Sequence, residues 1–140
     1  MSAYKKIKCS LVDKPTLLSA LAEMGLKTEV HETPQTLMGI GNKARPEKAE
    51  IIVRLANLNK SFTGASNDLG FAWNAAEKQY DMIISEYDVT SSMLNRVVQG
   101  YASIAIQNAL KNSRFSNITV KGDISQRTRA KVQLCASKMI

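Results

Sequence analysis

The chain has 140 residues, 44% of them hydrophobic and 22% charged, which is near the globular average and argues against disordered and fibrous classes. At that length one domain over residues 1–140 is expected, with enough chain to bury a core. The net charge of +7 is unevenly placed: residues 1–88 hold as many acids as bases, whereas residues 89–140 hold eight Lys or Arg against the single Asp123. Such a distribution suits a basic face that meets nucleic acid, an acidic protein or an anionic surface, or one that only aids solubility.

No run approaches the roughly 20 apolar residues that cross a bilayer, and the first residues lead into an alternating segment, not an apolar signal core. A cytoplasmic protein with no membrane contact is therefore expected. Cys9 and Cys135 lie far apart without Cys-x-x-Cys spacing, which fits a reducing compartment better than a disulfide scaffold.

Ile7, Cys9 and Leu11 alternate with Lys6, Lys8 and Ser10, and this period of two predicts a first strand with one buried face. Asp13 is placed to cap a helix over residues 14–24, Pro15 suits its first turn, Leu17, Leu18, Leu21 and Met24 recur at helical spacing, and Gly25 stops it. Residues 26–32 predict a short strand with Thr28 and Val30 on one side. Pro34, Gly39, Gly41 and Pro46 mark residues 33–47 as a long surface connection. Ile51, Ile52 and Val53 indicate a buried strand over residues 50–55, and residues 57–68 a polar separator.

The strongest β signal is a hairpin, with Leu69, Phe71 and Trp73 on one face, Tyr80, Met82 and Ile84 on the same face of its partner, and residues 74–78 as the turn. A second helix is expected to begin at Asp88 or Thr90 and to run toward Leu110 behind the stripe of Leu94, Val97, Val98, Tyr101 and Ile104. Gly100 in its middle costs about 1 kcal/mol relative to Ala and implies a close neighbour. Ile118 and Val120, a turn at Gly122 and Asp123, and the alternating Val132, Leu134 and Ala136 predict two closing strands. The order β-α-β-β-β-β-α-β-β predicts an α+β fold, a mainly antiparallel sheet of about six to seven strands with two helices packed on one face. Its core is expected to include Ile7, Leu17, Leu21, Ile51, Val53, Phe71, Trp73, Ile84, Val97, Tyr101 and Ile104.

His31 is the only histidine, and neither Cys9 nor any Ser sits in a nucleophile context, so a bland surface His is the better reading. One His with two distant Cys gives no recognisable zinc set, and no catalytic, cofactor or metal residues are assigned. Gly39-x-Gly41-Asn42-Lys43 has a phosphate-loop flavour without the required spacing. Asp81, Glu86 and Asp88 suit acid–base work or a hard cation, but solvent-facing strand residues and a helix cap explain them more simply. Phe71, Trp73 and Tyr80 can be read as a stacking platform for single-stranded nucleic acid, with core as the better reading. Arg114, Lys121, Arg127, Arg129 and Lys131 are the best candidate surface for an anionic partner.

Ala49-Glu50-Ile51-Ile52-Val53-Arg54, Leu69-Gly70-Phe71-x-Trp73-Asn74, the run 80–85 and Gln99-x-Tyr101-Ala102 resemble the hypothetical chloroplast reading frame thirty-five family over most of the chain. That resemblance implies a domain of unknown function from a cyanobacterium, a plastid stroma or a phage-infected host cell, and it carries over no active residues. The segments 33–47 and 57–68 look longer than in that family, and the tryptophan associated with it is absent at 86–89. Together these features suggest a small non-enzymatic interaction or adaptor module with a protein partner or acidic surface. The alternative is a nucleic-acid-binding protein that uses the basic C-terminal third.

Overall fold

Asp13 has extended backbone and its carboxylate accepts from Thr16 N at 3.1 Å, so the first strand gives way directly to a capped helix. A computed structural model describes residues 3–62, 64–89 and 92–112. Its strands are β1 (Tyr4–Leu11), β2 (Glu29–Met38), β3 (Ala44–Val53), β4 (Leu69–Asn74) and β5 (Gln79–Ser85). Its helices are α1 (Lys14–Glu23), α2 (Leu55–Ser61), the single turn α3 (Glu86–Val89) and α4 (Met93–Asn112). All pairings are antiparallel and the sheet order is β1-β5-β4-β3-β2.

The α+β class holds, but the described residues form a sheet of five strands with four helices, not six to seven strands with two. The closing strands expected from Ile118 to Ala136 lie outside the described residues. Residues 33–47 are not a surface connection: they complete β2, turn through a short 3-10 segment at Ile40–Asn42 and begin β3. Both prolines fit because they fall at breaks in register. Pro34 lies between the pairs Val30↔Ile51 and Gln35↔Ala49, and Pro46 between Thr36↔Lys48 and Met38↔Ala44. A missing N–H costs no ladder bond at such irregularities.

Residues 57–68 likewise contain more than a separator, because Leu55, Leu58 and Phe62 anchor α2 on the core. The second helix is split: α3 makes one turn from Glu86, and α4 starts at Met93.

Cross-strand pairing puts Ile7, Met82, Phe71 and Ile51 in one row and Leu11, Tyr80 and Trp73 in the next. Leu17, Leu21, Val97, Val98, Tyr101 and Ile104 pack on this face and form the main core with it. The opposite face has a smaller cluster, Leu37, Ala49, Ile52 and Ile83, made by bending the outer half of the β2–β3 ribbon back across the sheet. Helices therefore cover one face, as expected, and the chain's own strands cover part of the other.

Gly70 permits that bend, since a Cβ there would lie 2.9 Å from both Ala49 Cβ and Leu37 Cδ1. Gly100 does sit against α1, yet a Cβ would rest at 3.9 Å from Ala20 Cβ and Met24 Sδ, an ordinary contact. The two glycines should respond oppositely in urea denaturation. Gly70→Ala is expected to cost about 1–3 kcal/mol through overpacking, whereas Gly100→Ala should gain about 0.5–1 kcal/mol by removing a flexible residue from a helix.

Candidate functional site

Two clefts are lined in part by the β2–β3 ribbon, and their chemistry differs. The first, about 420 Å³, is lined by Gly39, Gly41, Asn42, Arg54, Leu55 and Asp68, among others. Asp68 is only 2% exposed. Its Oδ2 accepts from Met38 N and Arg54 Nη1, both at 2.8 Å, and its Oδ1 accepts from Leu55 N at 2.7 Å. Arg54 also donates from Nε and Nη2 to the two oxygens of Glu29 at 2.9 Å, a bidentate pair, and from Nη1 to Thr36 O at 3.2 Å. The Arg54 hydrogen bonds hold the Glu29 carboxyl below the usual range.

This cluster ties β2, β3 and α2 together. Beside the loop of Gly39, Gly41, Asn42 and Lys43, the donors Met38 N, Leu55 N and Arg54 Nη1 are taken by the Asp68 carboxylate. Gly39 N is bonded to Lys43 O at 2.8 Å.

The second cleft, about 430 Å³, is lined by Val12, Lys14, His31, Glu32, Glu50, Trp73 and Tyr80. It lies where the helical layer stops: α1 begins at Lys14, and Tyr101 Oη of α4 accepts from Val12 N and Asp13 N at 3.1 and 3.0 Å. In the row of Leu11, Tyr80 and Trp73, the first two are still buried in the main core, but Trp73 at the far end is left half-exposed. Trp73 is 42% exposed and meets the Tyr80 ring edge-on with centroids 5.0 Å apart. Val12 beside it is 55% exposed.

The expectation that Trp73 belongs to the core is thereby corrected. Alternation assigned its face properly, but burial of that row ends at Tyr80 and leaves Trp73 outside it. Glu50 Oε1 accepts from Trp73 N at 3.1 Å, and burial together with the nearby Glu50 charge raises the Tyr80 hydroxyl above its ordinary pKa.

The other sequence candidates are scattered. His31 is half-buried on β2 with Nε2 3.1 Å from Glu29 Oε1. Asp81 and Asp88 are buried while Glu86 is exposed; this corrects the solvent-facing strand reading for Asp81, and Asp88, expected as a helix cap, lies inside α3. Asp81 accepts from Asn74 Nδ2 at 3.2 Å, and Asp88 accepts from Ser66 N at 3.1 Å and has its pKa raised mainly by burial. Of the stacking trio only Trp73 is exposed; Phe71 and Tyr80 are buried. Arg114, Lys121, Arg127, Arg129, Lys131 and Cys135 lie outside the described residues.

Sequence reasoning missed the Arg54 cluster and the Glu32 and Glu50 walls of the second cleft. The available signal was the unbroken strand pattern at 49–53 leading straight into Arg54.

Cys9 is fully buried, and desolvation pushes its thiol up from 9.0 to about 11. Between those values the thiol ionises in the unfolded chain but stays protonated in the folded one, so stability falls as pH rises through that window. The loss is about 1.4 kcal/mol per pH unit where the two states differ by one proton. Denaturant titrations from pH 8.5 to 10.5 should show this slope in the wild type and a shallower one in Cys9→Ala.

A family model described as a protein of unknown function, DUF1257, matches residues 20–130. Comparison with curated proteins finds no match, and comparison with solved structures finds none. Among the described residues no helix is long and apolar enough to cross a membrane.

Proposed function

The chain belongs to this family of unknown function, DUF1257, and from that premise we propose that it is a non-enzymatic interaction module whose contact surface is the ledge around Trp73. One observation carries the reading: a large aromatic side chain, 42% exposed, stands in a cleft with a polar rim although its cross-strand neighbour is buried. Exposed tryptophan surrounded by polar groups is the usual anatomy of an interface hot spot. An isolated domain keeps such a residue uncovered only at a cost in unburied apolar area.

The narrower affiliation with the hypothetical chloroplast reading frame thirty-five family, and with it a cyanobacterial, plastid or phage-infected cytoplasmic setting, is part of the same proposal. It rests on the Gly-Phe-x-Trp-Asn hairpin at 70–74 and Gln99-x-Tyr101-Ala102. Nucleic-acid contact through Arg114, Lys121, Arg127, Arg129 and Lys131 is a second reading, favoured by the charge count of residues 89–140.

Affinity capture from the native host separates them. Immobilised wild type and Ile40→Ala, an exposed apolar residue away from the ledge, should retain the same protein at moderate salt, and Trp73→Ala should lose it. Equal retention by Trp73→Ala, or capture of nucleic acid that vanishes at moderate salt, would overturn the ledge as the contact surface.

A further inference from the structure

The ledge has a charge pattern as well as an aromatic surface. Glu50 uses one oxygen to hold Trp73 N at 3.1 Å, and its other oxygen has no hydrogen-bond partner among the described residues. Glu32, on the same cleft, is exposed and makes no ion pair among the described residues. The same cleft is lined by Lys14 at the start of α1 and by His31, whose Nε2 is engaged by Glu29. Among the described residues, the cleft thus brings two carboxylates without an ion pair and one lysine together with a half-exposed indole.

We propose that this cleft takes an arginine side chain from an extended segment of a partner protein, with the guanidinium stacked on Trp73 and paired with Glu50. The proposal rests on the reading of the ledge as a partner-contact surface and names what the partner brings to it. Trp is the best of the aromatic faces for a cation, and Arg, planar and weakly hydrated, both stacks on a ring and donates two parallel N–H groups to one carboxylate. Lysine lacks that fork. A nucleic acid fits the site less well, because its phosphates would be drawn past Glu32 and Glu50. At about 430 Å³ the cleft has room for one long side chain and part of the flanking backbone.

Trp73 is the only tryptophan in the chain, so intrinsic fluorescence of the full-length protein reads this site directly. The probe is a capped Ser-Gly-Arg-Gly-Arg-Gly peptide, compared with its citrulline counterpart, its lysine counterpart, guanosine monophosphate and oligouridine. The arginine peptide should change the Trp73 emission saturably. Citrulline, which keeps the shape and loses the charge, should bind about tenfold more weakly, as should Glu50→Gln tested with the arginine peptide. The melting temperature of Glu50→Gln should stay close to that of the wild type.

Equal binding of the citrulline peptide, equal binding by Glu50→Gln, or tighter binding of either nucleotide probe would overturn the proposal. So would silence toward every peptide, including the case in which acrylamide finds Trp73 already shielded because the chain's own arginine-bearing residues 113–140 occupy the ledge. If the arginine peptide fails while Trp73→Ala still loses the captured partner, only this inference falls. If capture survives Trp73→Ala, the contact surface itself is wrong.

Discussion

Asp68→Ala should lower the unfolding free energy by about 3–5 kcal/mol, a large part of the total for a domain of this size. The reason is the number of donors that converge on one carboxylate with 2% exposure. Removing it leaves Met38 N and Leu55 N without their acceptor and Arg54 Nη1 with only Thr36 O. Each unpaired buried donor costs the full desolvation of its group, although Arg54 keeps its bidentate pair with Glu29. Asp68→Asn keeps the shape but turns an N–H₂ toward groups that are themselves donors, so it should recover less than half of the loss. Urea denaturation of the three proteins measures this, and a loss below about 1 kcal/mol for Asp68→Ala would mean that water replaces the carboxylate and that the corner is not dry.

Phe71→Ala and Trp73→Ala should differ sharply although the residues are two apart on one strand face. Phe71 is fully buried between β3 and β5 beneath the helices, and truncating it should cost about 3–5 kcal/mol through lost burial and the cavity left behind. Trp73 is already partly in water, so its truncation loses about 1–2 kcal/mol, mostly the edge contact with Tyr80 and the covered part of the ring. Thermal melts should therefore show Trp73→Ala close to the wild type and Phe71→Ala far below it. The same pair separates stability from function, since Trp73→Ala should abolish partner capture in a chain that remains folded.

Local rules were enough for the elements whose signal is local. The Asp13 cap, the Gly25 stop with φ of +76°, the hairpin at 69–85 and the α4 stripe appear where the residues put them. Pro34 and Pro46 misled, because proline counts as a strand breaker unless it falls at a register shift, and register depends on the partner strand. The helix α2 was hidden because Leu55, Leu58 and Phe62 are too few to show a period inside a polar stretch.

The site was legible in part. Alternation placed Trp73 and Tyr80 on one face, but only the folded chain shows that burial extends to Tyr80 and stops short of Trp73. The Arg54 cluster joins Glu29, Thr36 and Asp68, residues separated by up to 39 positions, and only the folded ribbon brings them together.

The open ledge is the central claim, and acrylamide quenching of the single tryptophan in the native full-length chain tests it most directly. Trp73 should be quenched substantially in the native state, with a quenching constant that is a large fraction of the value in denaturant, and added partner should suppress it. An indole that resists acrylamide until the chain unfolds would place Trp73 under a covering layer and contradict the ledge.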